Sequence, residues 1–207
     1  MLVFDFFAGT GSATLAFERA GHKIVKVELS EKFNADERDI MSLSASYLID
    51  KYGQPDFVWA SPPCQRFSVA TIGKNWNKDY TPKNKDALDA LRLVDKTISL
   101  INELKPKYGW LIENPRGMLR KLRLQEVPRH TVTYCQYGDT RQKPTDLWGY
   151  VPKWTPKQPC KPKSNCHESA PRGSRTGTQG LKNAETRSKV PYELGRDICH
   201  SIEPITP

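Results

Sequence analysis

Leu2-Val3-Phe4-Asp5-Phe6-Phe7-Ala8-Gly9-Thr10-Gly11 opens the chain, and its reading decides the fold. The apolar run Leu2 to Phe6 has the length of a buried strand, and the glycines after it break the pattern. Leu15, Ala16, Phe17 and Ala20 then group on one side of a helix that Gly21 stops. Glycines between a strand and a helix let the backbone pass close under a ligand, and the helix start offers unpaired N–H groups. A tight turn with a satisfied Asp5 would leave the same trace, so the motif alone does not decide function.

Outward from this unit the pattern repeats. Lys23–Glu28 fits a second strand, and Ser44–Lys51 a short helix closed by Gly53 and Pro55. Asp56–Ala60 is a third strand, broken at once by Ser61-Pro62-Pro63. A polar loop is expected from Arg66 to Lys85. Ala87, Leu91, Val94, Ile98 and Ile101 then recur at helical spacing, ended by Pro106. Tyr108–Ile112 is the next strand and runs into Glu113-Asn114-Pro115. A further strand pair fits Thr131–Gln136 and Asp146–Tyr150. Strand–helix alternation of this kind predicts an α/β fold, a mostly parallel sheet with helices on both faces. We expect residues 1–150 to form this domain. Residues 151–182, rich in Pro, Lys, Gly, Ser and Thr, read as an insert without regular structure. Residues 183–207 return with a short helix at Val190–Ile202.

Composition sets outer bounds. The 207 residues, 37% hydrophobic and 27% charged, suit one well-buried domain and exclude collagen, coiled coil and wholesale disorder. No stretch approaches ~18 consecutive apolar residues, so no membrane span is expected. The N-terminus lacks the marks of a signal peptide. Five scattered cysteines, an odd number, argue against a disulfide scaffold and for a reduced, cytoplasmic setting. Residues 1–60 hold 6 basic and 9 acidic side chains, and residues 61–207 hold 26 and 14. The basic later segment points to a polyanionic partner, although a solvated basic surface would look the same.

Chemistry concentrates at the strand ends. Glu28, closing the second strand, is placed to accept from a ribose hydroxyl pair. Asp39-Ile40 lies where a third strand end could reach an adenine. In Ser61-Pro62-Pro63-Cys64-Gln65, two prolines hold the next side chain rigidly at the sheet's carboxyl edge, and that side chain is a thiol, the strongest side-chain nucleophile once ionised. Cys135 and Cys199 read instead as structural cysteines within apolar runs. Glu113 follows directly from a strand, so it reaches the same edge, adjacent to Cys64 if the two strands are neighbours. A nucleophile beside a carboxyl group suggests covalent attack coupled to proton donation.

The order FDFFAGTGSAT, Glu28, SPPCQRFS, ENPRGM and QYGDTRQKPTDLW resembles the C5-cytosine DNA methyltransferase family, in particular its small phage- or prophage-type members. The resemblance covers residues 1–150 in order, with a weaker tail at 187–202. It implies the Rossmann-like fold of S-adenosylmethionine-dependent methyltransferases, S-adenosylmethionine as cofactor and double-stranded DNA as partner. By the same resemblance Cys64 attacks carbon 6 of a flipped-out cytosine and Glu113 serves ring nitrogen 3. Arg141 or Lys143 contacts the base or adjacent backbone. Phe6, Gly9, Gly11, Glu28, Asp39, Ile40 and Pro63 line the cofactor pocket. Gln65 and Lys74, with Lys78, Lys83 and Lys85 in a mobile loop after Cys64, face the nucleic acid.

The chain departs from the family pattern in three places. Lys143 stands where the first arginine of a Gln-x-Arg-x-Arg run is expected, Glu-Asn-Val has become Glu113-Asn114-Pro115, and the Gly-Asn-Ser of the final helix is absent. The target-recognition region is reduced to about residues 151–182, where Arg172, Arg175 and Gln179 sit in a basic, glycine-rich stretch suited to phosphates or a groove. So short a region implies relaxed specificity, or a homodimer or accessory subunit. Cys160, Cys166 and His167 raise the question of zinc, with Cys135 or a residue near Cys199 as fourth ligand, but Cys-x5-Cys-His is not a standard spacing and no metal site is assigned. Two alternatives stay open: the same chemistry on RNA or a non-duplex cytosine, and a non-catalytic DNA-binding relative.

Overall fold

The structure is a computed structural model describing residues 1–161, 164–168 and 183–203. Six strands form one sheet: β1 (Leu2–Phe6), β2 (Lys23–Val27), β3 (Phe57–Ala60), β4 (Trp110–Pro115), β5 (Arg129–Thr133) and β6 (Pro144–Tyr150). Their order is β2-β1-β3-β4-β6-β5. Only β6 runs against its neighbours, so the sheet is mostly parallel. The helices are α1 (Leu15–Arg19), α2 (Ala45–Tyr52), α3 (Ile72–Asn75), α4 (Lys85–Leu104), α5 (Ala184–Ser188) and α6 (Tyr192–Ile202).

Alternation within each strand sends side chains to two cores, as the pleat requires. Phe4, Phe6, Val58, Ala60 and Ile112 face α2 and α4, joining Leu48, Leu91 and Val94. Val3, Phe57, Trp59 and Leu111 face α1 and α6, joining Phe17, Leu194 and Ile198. Helices therefore cover both faces. None among the described residues is long and apolar enough to cross a membrane.

The long helix α4 is set by its cap and its stripe. Asn84 accepts a hydrogen bond from the Ala87 N–H at 2.9 Å, and Lys105 closes the helix in the left-handed region, just before Pro106. The buried stripe runs through Thr97 and Leu100 to Leu104, while Ile98, expected in the core, is only partly buried. Thr97 tolerates burial because its hydroxyl bonds the Leu93 carbonyl at 2.7 Å.

Three further expectations are corrected. The segment Arg66–Lys85 is not an open loop. It folds around Trp76, 2% exposed and stacked on Phe67, whose indole N–H donates to the Arg66 carbonyl at 2.7 Å. It includes α3, and it is fastened to the end of β4, where the Met118 N–H bonds the Phe67 carbonyl at 2.7 Å. A Cβ on Gly117 would lie 2.2 Å from that carbonyl oxygen, so the close approach requires glycine. Asp39-Ile40 is not at a strand end either: Asp39 caps a 3₁₀ turn, Ile40–Ser42, accepting from the Met41 N–H at 2.9 Å. Finally, β5 stops at Thr133, and Tyr134–Tyr137 is a 3₁₀ turn rather than strand.

The order of the strands fixes where ligands can go. Between β1 and β3 the direction of winding reverses, and in open α/β sheets the crevice at such a point lies outside the carboxyl ends of the strands. The glycine turn and the Pro62-Pro63-Cys64 turn leave the sheet on either side of it. Because β6 is reversed, its beginning reaches the same edge, bringing Lys143 with it. Thr133 pairs with Pro144, so Tyr134 arrives there too.

Candidate active site

β3 and β4 are adjacent and in register, with Ala60 opposite Ile112. The two residues that follow, Ser61 and Glu113, therefore leave neighbouring positions on the same edge, and the Pro-Pro turn carries Cys64 out beside them. The Asn114 side-chain amide donates to the Pro62 carbonyl at 2.7 Å, locking the turn to β4. The Cys64 carbonyl accepts from the N–H groups of Phe67 (3.0 Å) and Ser68 (3.1 Å), which curls the chain back after the thiol.

Glu113 is 5% exposed and accepts a hydrogen bond from the Tyr134 hydroxyl at 2.8 Å. The Lys143 ammonium lies 4.4 Å from the centre of the Tyr134 ring and donates to the Arg187 carbonyl at 3.0 Å. Burial, then the Glu113 carboxylate, push the Cys64 thiol above its ordinary value, against the pull of Lys143 and Arg187. Burial lowers Lys143 from its ordinary value, and Glu113 opposes it. Burial and Glu113 hold Tyr134 well above the ordinary phenol range, so it stays a donor. Cys64, Glu113, Tyr134 and Lys143 thus form one electrostatically coupled group.

Arg141 faces elsewhere. It is 5% exposed, paired with Asp139 through Nε at 2.8 Å, and donates through Nη1 to the carbonyls of Thr186 (3.2 Å) and Arg187 (3.0 Å). It ties the turn after β5 to the segment before α6. Of the two cations at this position in the sequence, Lys143 is the one that acts electrostatically on both Cys64 and Glu113.

At the glycine turn, Gly9 and Gly11 have φ of 50° and 70°, and no atom lies within 4 Å of where a Gly9 Cβ would be. Both Glu28 oxygens are fixed by backbone donors, Gly9 N–H at 3.0 Å and Ser30 N–H at 2.9 Å. Each keeps a further lone pair for a ribose hydroxyl. Open backbone beside a pinned carboxylate fits the ribose and adjoining chain of S-adenosylmethionine. Phe6 is fully buried and Ile40 is 4% exposed, so their side chains offer little surface to a ligand, while Asp39 and Pro63 are exposed. The Val190 N–H bonds the Ser12 hydroxyl at 3.0 Å, fastening the segment before α6 to the glycine turn.

Gln65 and Lys74 are exposed. Arg172, Arg175 and Gln179 lie outside the described residues. Tyr134, Asn114 and Ser12 were not singled out by the sequence; the signal available for Tyr134 was a polar aromatic directly after a strand that ends at the site edge.

The sheet order and the edge site define the Rossmann-like α/β fold of S-adenosylmethionine-dependent methyltransferases. The profile of the C-5 cytosine-specific DNA methylase family matches residues 1–131. A probable DNA (cytosine-5)-methyltransferase of Frog virus 3 is 33% identical over 173 residues, covering 80% of this chain and 78% of that protein. A type II methyltransferase of Fusobacterium nucleatum is 28% identical over 138 residues, 61% of this chain and 36% of that one. Among solved structures, an Entamoeba histolytica methyltransferase superposes with a TM-score of 0.52 at 17% identity, covering 78% of this chain and 57% of that one. The chain therefore spans most of its viral relative and about a third of the bacterial one. It belongs to the C-5 cytosine-specific DNA methylase family.

Proposed function

We propose that the chain methylates carbon 5 of cytosine in duplex DNA through a covalent adduct at Cys64, with residues 1–150 as the catalytic unit and residues 151–182 as a reduced recognition insert. The observation that carries this reading is the coupling of a thiol at the end of β3 to a buried, hydrogen-bonded carboxyl group on the adjacent strand. A module that only bound DNA would have no use for that pair.

Gly9, Gly11 and Glu28 would hold the cofactor, which supplies an electrophilic methyl group when bound. Chemistry on the faces of a base cannot proceed inside the stack, so the cytosine is flipped out, at a cost of a few kcal/mol. The Cys64 thiolate then forms a bond to carbon 6, and the displaced electron pair makes carbon 5 nucleophilic. Glu113 holds a proton at ring nitrogen 3, stabilising that charge. Carbon 5 takes the methyl group, the donor sulfur keeping the electrons of the broken bond. Carbon 5 then gives its proton to water, and that bond's pair restores the ring double bond. The carbon–sulfur pair returns to Cys64, and Glu113 recovers its proton from nitrogen 3. Because an ionised Glu113 keeps the proton on sulfur, the protonated Glu113 that serves nitrogen 3 is also the form that favours the thiolate. Proton placement and nucleophile activation are thus coupled. Lys143 acts in the same direction.

Duplex DNA carrying 5-fluorocytosine tests the adduct, since fluorine at carbon 5 blocks the final elimination. The expected product is a denaturant-stable complex that needs S-adenosylmethionine and maps to the Cys64 peptide. Turnover on normal DNA without such a complex would remove the covalent step.

A further inference from the structure

Beside the catalytic group but no part of it, Cys135, Cys160, Cys166 and His167 converge, their ligand atoms all within 4.8 Å of one another. We propose that these four side chains form a tetrahedral structural zinc site that clamps Cys160, Cys166 and His167 onto the turn after β5.

The distances carry the argument. A tetrahedral ion with zinc–sulfur near 2.3 Å and zinc–nitrogen near 2.0–2.1 Å sets sulfurs about 3.8 Å apart, and sulfur about 3.6 Å from nitrogen. Here Cys166 Sγ lies 3.7 Å from Cys135 Sγ, and His167 Nδ1 lies 3.6 Å from Cys160 Sγ and 3.5 Å from Cys166 Sγ. Cys135 and Cys160 are closer, at 3.2 Å, yet far outside the roughly 2.05 Å of a disulfide. Three thiols and an imidazole drawn from two separate segments into so little space supply the four donors that a single cation would take. With four protein ligands the site has no open position, which marks it as structural rather than catalytic.

The surroundings suit thiolates. Gln142 Nε2 donates to Cys160 Sγ at 3.3 Å and Gln136 Nε2 to Cys166 Sγ at 3.4 Å. The Cys160 N–H is bound by Thr133 Oγ1 at 2.9 Å. Such outer contacts orient metal ligands. The spacing of Cys160, Cys166 and His167 had argued against a metal. Of the two fourth ligands the sequence offered, Cys135 or a residue near Cys199, it is Cys135, 25 residues before Cys160, that the end of β5 at Thr133 brings to the group. Cys135 follows Tyr134 directly, so the ion would also steady the residue that holds Glu113.

The test is zinc content of the full chain, purified under reducing conditions without chelator and measured by plasma mass spectrometry, with X-ray absorption at the zinc edge. One zinc per chain, coordinated by three sulfurs at about 2.3 Å and one nitrogen at about 2.0–2.1 Å, is expected. Cys166→Ser and His167→Ala should weaken zinc retention at least tenfold in a competition with a chromogenic chelator, whereas Cys64→Ser and Cys199→Ser should retain the metal as the wild type does. If the Cys166 variant fails to fold, the wild-type content and absorption spectrum still decide. A metal-free chain with all five thiols titratable would overturn the site, as would a Cys135–Cys160 disulfide or a two-sulfur shell. None of these readouts depends on methyl transfer.

Discussion

The Tyr134 hydroxyl donates to the Glu113 carboxylate at 2.8 Å, with both side chains almost wholly buried. A carboxyl group that must offer a proton to a substrate in one fixed direction needs its other lone pairs occupied, and Tyr134 does this from the turn after β5. Tyr134→Phe leaves a buried oxygen without its partner, a loss of about 1–3 kcal/mol. We expect kcat for methyl transfer to fall roughly tenfold or more, with little change in the KM for S-adenosylmethionine. Steady-state kinetics with the methyl donor varied checks this.

The charge balance around Cys64 gives a second prediction. Burial and Glu113 raise the thiol, and Lys143 lowers it. Removing the Glu113 charge by Glu113→Gln should therefore shift the pH profile of Cys64 alkylation downward and speed alkylation at neutral pH. Lys143→Met should shift it upward and slow the reaction. Iodoacetamide labelling followed across pH, with peptide mapping to separate Cys64 from the other thiols, provides the measurement.

Asp5 sits fully buried at the end of β1 and accepts from the Thr14 hydroxyl at 2.6 Å, while its Oδ1 has no partner. Burial above all pushes it up to about 7, from 3.8. The folded protein thus holds this proton more tightly than the unfolded chain. The associated stability is complete below about pH 4 and drains away as pH rises to about 7, an effect on the order of 4 kcal/mol by linkage. Asp5→Asn should flatten this part of the stability profile, gaining on the wild type as pH rises. Urea unfolding of both proteins from pH 4 to pH 8 tests it.

Asp146 is fully buried in β6 and bonded to Arg120 Nε at 2.6 Å and to Thr131 Oγ1 at 2.8 Å. Without Arg120 the buried carboxylate keeps only the Thr131 hydroxyl and the more distant Arg129, whose Nε is 3.9 Å away. Arg120→Ala should cost about 3 kcal/mol, read as a lower urea midpoint with an unchanged slope.

Much of this architecture was legible in the sequence because period and punctuation agreed. Each of β1 to β4 was bounded by glycine or proline, and the Pro-Pro turn announced Cys64 at a strand end. Adjacency of Cys64 and Glu113 was conditional on β3 and β4 being neighbours, and strand order is a tertiary fact that hydrophobic periodicity does not carry. Trp76 was hidden for a related reason: a lone aromatic among polar residues looks like loop until Phe67 is brought beneath it. Arg141 and Lys143 could not be distinguished because they are two residues apart. Their different directions follow from Asp139, which draws Arg141 toward the segment before α6. For Cys160, Cys166 and His167 local spacing left the fourth neighbour open between Cys135 and a residue near Cys199, because only the end of β5 decides which one meets them.

The most direct test of the central claim is transfer of labelled methyl from S-adenosylmethionine to unmethylated duplex DNA, with Cys64→Ser run beside the wild type. Label recovered as 5-methylcytosine, and lost in the variant, is the predicted result. Measurable cofactor binding with no label entering cytosine, or label that persists without the Cys64 sulfur, would contradict it.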